Sequence, residues 1–78
     1  MNDILLIINE ILADKHLEPI TVNDDIKLFG FTSPDMLVLI LRLEKRGYYV
    51  AGLDIQSITT TTHLYNMLKN KIYNREIV

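Results

Sequence analysis

The sequence predicts an all-α fold: a small bundle of three main helices and one short helix, with a long first loop. Three observations carry this prediction. Apolar residues recur at spacings of three and four in three separate stretches. Pro19, Gly30, Gly47 and Gly52 fall between those stretches. The extended candidates at Val50 and Ile58 are too short to build a sheet.

A first helix is expected over about residues 3–16, capped by Asn2 or Asp3, with Ile4, Leu5, Ile8, Ile11 and Leu12 as its buried stripe. Pro19 bars its continuation and biases Glu18 away from helical angles. Residues 17–31 then form a long connection, with Ile20, Val22, Ile26, Leu28 and Phe29 anchoring it to the core. Asn23, Asp24, Asp25 and Lys27 read as a solvated turn. A connection of this length in a short chain calls for a purpose.

The second helix is expected from Ser33 to Arg46, ending at Gly47. Its centre is apolar nearly all round, so it is expected either to be the most buried element, with Met36, Leu37, Leu39, Ile40, Leu41 and Leu43 mostly in the core, or to bury one face and present another to a partner. Asp54 to Ile58 suits a single helical turn. One of Thr59 to Thr62 should cap a last helix reaching about Tyr73, with Leu64, Met67, Leu68 and Ile72 facing inward. Lys69, Lys71 and Arg75 suit its negative end, and residues 74–78 are expected to fray.

Seventy-eight residues make one expected domain, 1–78, and 49% apolar content favours a packed chain over a disordered one. The chain has no cysteine, so neither a disulfide frame nor a thiolate metal site is available. The apolar run Ile4–Ile8 is too short to span a membrane, and no basic leader precedes it, so a cytoplasmic setting is expected. Net charge is −2, with seven acids and two bases through residue 35, then three acids and six bases. The bases are scattered, which argues against nucleic acid as a partner. His16 and His63 lie far apart and pair with no carboxylate at metal-site spacing, so each is expected at the surface or in a cap.

The chemistry concentrates at Gly30-Phe31-Thr32-Ser33-Pro34-Asp35-Met36. Thr32 and Asp35 have capping-box spacing, and Phe31 and Met36 have the spacing of a hydrophobic staple. With Thr32 as cap, Ser33 occupies the first turn with its oxygen free, where the positive helix end favours an anion attached to it. The competing reading makes Ser33 itself the cap, with Pro34 in the first helical position. A hydrolytic triad has little support, because no base and orienting acid are placed beside Ser33.

This stretch resembles the Gly-x-Asp-Ser-Leu motif that opens the second helix of acyl and peptidyl carrier proteins. Leu43-Glu44 and Ile58-Thr59-Thr60 resemble that family's Leu-Glu and Ile-Thr-Thr elements at similar distances, and the likeness covers about residues 3–72. The resemblance implies a four-helix bundle of carrier-protein type. It implies that Ser33 accepts 4′-phosphopantetheine from coenzyme A, through a phosphopantetheinyl transferase that brings its own magnesium ion. The chain would then be a free-standing, non-catalytic carrier of acyl or aminoacyl thioesters, monomeric, and visited by loading and processing enzymes.

Thr32, Pro34, Asp35, Met36, Val38 and Glu44 are the residues expected to meet those partners. Thr32 stands where the family has Asp, Pro34 where it has Leu or Ile, and Val38, Lys45 and Arg46 stand where acids are common. Generic fatty-acid partners would fit such a surface poorly, so a specialised polyketide, nonribosomal peptide or lipid pathway is the expected context. The alternatives are a carrier-like helical module that has lost modification and binds proteins, or an unrelated helical adaptor that dimerises through its second helix.

Overall fold

A computed structural model describes the backbone of residues 2–77 and the side chains of residues 2–69. The chain is helical: α1 spans Asn2–Asp14, α2 spans Ser33–Lys45 and α3 spans Thr61–Ile77. Two single 3-10 turns, Ile26–Phe29 and Ile55–Ser57, lie in the connections. No strand is present among the described residues, only an isolated antiparallel bridge between Asp25 and Thr60. None of their helices is long and apolar enough to cross a membrane.

Helix α1 is amphipathic, and Ile4, Ile7, Ile8, Ile11 and Leu12 are buried on one face. Ile7 joins the expected stripe, and Leu5 packs at its edge. The helix ends in two reciprocal backbone bonds, from the Leu17 amide to the Leu12 carbonyl and from the His16 amide to the Ala13 carbonyl. That motif places His16 in the left-handed region at φ 62°. Helix α2 closes in the same way, through Tyr48 to Leu43 and Gly47 to Glu44, with Gly47 at φ 95°. Here the residue in the left-handed position is a glycine, which adopts it without strain.

Helix α2 buries Met36, Leu39 and Leu43, and Ile40 packs beside them. Leu37 and Leu41 were expected mostly in the core, but each is 59% exposed. Helical geometry explains this: both project from the side opposite Leu39 and Leu43. Helix α3 buries Leu64 and Leu68, with Met67 partly covered, while the Ile72, Lys71 and Arg75 side chains lie outside the described residues. It runs to Ile77 rather than to about Tyr73, in a stretch free of glycine and proline. Thr60 is its cap, its Oγ1 accepting from the His63 amide at 3.0 Å. His63 in turn accepts the Thr59 amide on Nδ1, so this histidine helps close the helix start.

The long first connection is fastened at three places. Asn9, midway along α1, pairs with the backbone of Ile20 by both faces of its amide, at 2.8 and 3.2 Å. The Val22 carbonyl accepts from the amide and hydroxyl of Thr62, and the Ile26 amide donates to the Thr59 carbonyl. Asp24 and Asp25 are not simply solvated. Asp24 accepts from the amide and hydroxyl of Thr21, and Asp25 accepts from the Lys27 amide. Ile20 and Ile26 are buried as expected, but Leu28 is 80% and Phe29 47% exposed. The 3-10 turn directs Ile26 inward and carries its next residues outward, so they do not anchor the loop.

Candidate functional site

The site is built where the first connection turns into α2. Gly30 ends the 3-10 turn at φ 99°, and a Cβ there would approach the Leu17 side chain to 2.6 Å. The backbone angle therefore favours glycine, while the exposed Leu17 methyl has room to swing aside. Phe31 follows at 4% exposure, and Met36, five residues on, is 3% exposed. These are the two positions of the expected staple, and their burial sets the angle at which the chain enters α2.

Met36 was expected to face partner proteins. It is buried beside Phe31 as the staple requires, and it meets the surface only as part of the wall of the cleft at Ser33. Val38 at 39% exposure does face outward, as do Thr32, Pro34 and Glu44.

Thr32 is the cap of α2, in extended backbone conformation. Its amide and its hydroxyl both donate to Asp35 Oδ2, each at 2.8 Å. Lys15, at the end of α1, donates to the same carboxylate at 2.5 Å and to the Gly30 carbonyl at 2.6 Å. One ammonium thus joins α1 to both sides of the α2 entrance. Burial opposes the charged form of Asp35, but the Lys15 bond and the two Thr32 bonds outweigh it, so its pKa lies below the ordinary value. With Oδ2 so engaged, Asp35 is a structural clasp more than a loose contact for visitors. Nothing local in the sequence pairs Lys15 with Asp35, twenty positions away.

With Thr32 as cap, Ser33 is the first helical residue. It is exposed, and its Oγ has no hydrogen-bond partner among the described residues. The first amides of α2 give this end of the helix a positive potential. Beside Ser33 lies an open cleft of about 250 Å³, with Phe31, Met36 and Ile55 as apolar wall and Thr32, Lys27 and Gln56 at its polar edge. The Lys27 ammonium donates to the Gln56 carbonyl at 2.6 Å, tying the two 3-10 turns together across the cleft. Lys27, Ile55 and Gln56 were not expected at the site, because only the fold brings them to Ser33.

A hydrolytic reading finds no support in these contacts. Neither His16 nor His63 lines the Ser33 cleft; His63 is engaged at the start of α3. Elsewhere, the Tyr48 hydroxyl donates to Asp3 Oδ2 rather than to water, joining the end of α2 to the start of α1. Comparison with protein-family models, with curated proteins and with solved structures finds no match to this chain.

Proposed function

We propose that this protein is a carrier in which Ser33 is the attachment point for 4′-phosphopantetheine. The four-helix carrier arrangement belongs to the same proposal, with the Ile55–Ser57 turn in the place of the short helix. The observation that carries it is the Ser33 hydroxyl: exposed, unpartnered among the described residues, and one position past the cap of a helix.

The residues present suit the group. A phosphodiester on Ser33 Oγ would lie over the free amides of the first turn of α2, with the Lys27 ammonium in the same cleft. Phe31, Met36 and Ile55 offer an apolar wall to a cargo, and a cleft of about 250 Å³ favours a short one. In the loading step Ser33 Oγ attacks the phosphorus that bears pantetheine in coenzyme A. The bond from that phosphorus to the adenosine bisphosphate breaks, and the Ser33 proton goes to a base supplied by the transferase. The arm supplies a thiol for thioester formation, on a chain that has none of its own.

Incubation with coenzyme A and a broad-specificity phosphopantetheinyl transferase tests this directly. Intact mass should rise by one phosphopantetheine, mapped to the peptide containing Ser33. Ser33→Ala should abolish the gain and change stability by less than about 0.5 kcal/mol, since Thr32 keeps the cap. No gain with several transferases, alongside a modified carrier control, refutes the proposal. That result would favour the second reading, a carrier-like module that only binds proteins, which the exposed apolar residues Leu37 and Leu41 support.

A further inference from the structure

The Ser33 hydroxyl has no hydrogen-bond partner among the described residues, so the place of its oxygen is set by the backbone on either side. That backbone is held on both sides. After the serine, the ring of Pro34 fixes one dihedral angle. Before it, the Thr32 amide and hydroxyl donate to Asp35 Oδ2, each at 2.8 Å. The Thr32 carbonyl accepts from the Met36 amide at 3.0 Å.

All these restraints are local to the α2 entrance except one. Lys15 follows the last residue of α1, and its half-buried ammonium donates to Asp35 Oδ2 at 2.5 Å and to the Gly30 carbonyl at 2.6 Å. Gly30 precedes the serine and Asp35 follows it, so the two bonds bracket Ser33. An ammonium carries three donors and can hold both oxygens at once. The Asp35 side chain is only 15% exposed, and a carboxylate so covered needs a counter-charge as well as neutral donors. Lys15 does not line the cleft beside Ser33, so its effect on the serine passes through the entrance backbone.

We infer that Lys15 is a positioning residue for the loading of Ser33. Through Asp35 and the Gly30 carbonyl it holds the hydroxyl where an incoming phosphoryl group can be attacked in line. This inference rests on the carrier reading. In that step the Ser33 oxygen bonds to phosphorus as the bond to the adenosine bisphosphate breaks, and the serine proton passes to the base on the transferase. Lys15 gives and takes no proton. Its part is to narrow the positions open to the nucleophile, on which such a displacement depends steeply.

The unloaded full chain and its variants are loaded from coenzyme A by a phosphopantetheinyl transferase, with intact mass followed over time. Lys15→Met should lower kcat about tenfold and leave KM for the carrier within about twofold, and Lys15→Arg should restore most of the rate. Asp35→Asn should also lower kcat, and adding Lys15→Met to it should cost less than about twofold more. In the unloaded Lys15→Met chain, the Thr32 amide proton should move upfield as its bond to Asp35 loosens. The Ser33 Hα–Hβ couplings should move towards rotamer averages. Should Lys15→Met lose its helical circular dichroism, Lys15→Gln takes its place with the same expectations. Loading of the Lys15 variant at the wild-type rate overturns the inference and leaves the carrier reading standing. A raised KM at unchanged kcat also overturns it, since Lys15 would then be meeting the transferase itself. A wild-type chain that several transferases fail to load removes the carrier reading and this inference with it.

Discussion

At the scale of single residues, two positions hold conformations or groups that a better choice of side chain would relieve. His16 carries a left-handed φ of 62° where the matching end of α2 uses Gly47. A side chain with a Cβ costs energy there, so His16→Gly should stabilise the protein by about 0.5–1 kcal/mol, read from the urea midpoint. An unchanged or lower midpoint would show that the His16 ring makes up for the strain. Thr61 is wholly buried at the start of α3, and its Oγ1 has no hydrogen-bond partner among the described residues. Thr61→Val keeps the shape and removes the stranded hydroxyl, so thermal unfolding should show a gain of about 1 kcal/mol. A loss would mean that a water molecule satisfies that oxygen.

At the scale of elements, the entrance to α2 depends on one carboxylate serving three donors, from Lys15 and from the amide and hydroxyl of Thr32. Lys15→Met and Asp35→Asn should each destabilise, and the double variant should cost less than their sum by about 1 kcal/mol. The Asp35 pKa is lowered on folding, so its contribution is present above the unfolded value near 3.8 and is lost as pH falls through the lower folded value. Asp35→Asn should therefore flatten the acid limb of the stability curve, and an identical limb in the variant would contradict the clasp. The local half of this entrance was legible in the sequence, since a cap, its reciprocal carboxylate and a staple lie within six residues. The distant half was not. Lys15 reaches the α2 entrance, and Lys27, Ile55 and Gln56 reach Ser33, through folding alone, and spacing carries no record of that. The same limit left two readings of α2 open, because an all-round apolar sequence does not say which of its leucines will find a neighbour.

At the scale of the whole molecule, α1 is the organising element. It packs against α2 and α3, and it holds the rest of the chain through Asp3, Asn9 and Lys15. The Asp3–Tyr48 bond ties its start to the far end of α2. Burial, then the bond to Asp3, pushes the Tyr48 hydroxyl up to about 12. Its stabilising contribution is complete below the unfolded value of 10.0 and fades as pH climbs towards 12. An alkaline absorbance titration should show one of the four tyrosines ionising late, and Tyr48→Phe should remove that late step. A titration unchanged by the substitution would place the bond outside the solution structure. The order of these ties along the chain matters for synthesis. The polypeptide leaves the ribosome from its amino end, so the first helix emerges with isoleucines and three polar side chains awaiting neighbours not yet made. Those neighbours arrive at residues 20, 30, 35 and 48, and then with Leu64 and Leu68. Helix α1 is therefore translated before every neighbour that holds it in place.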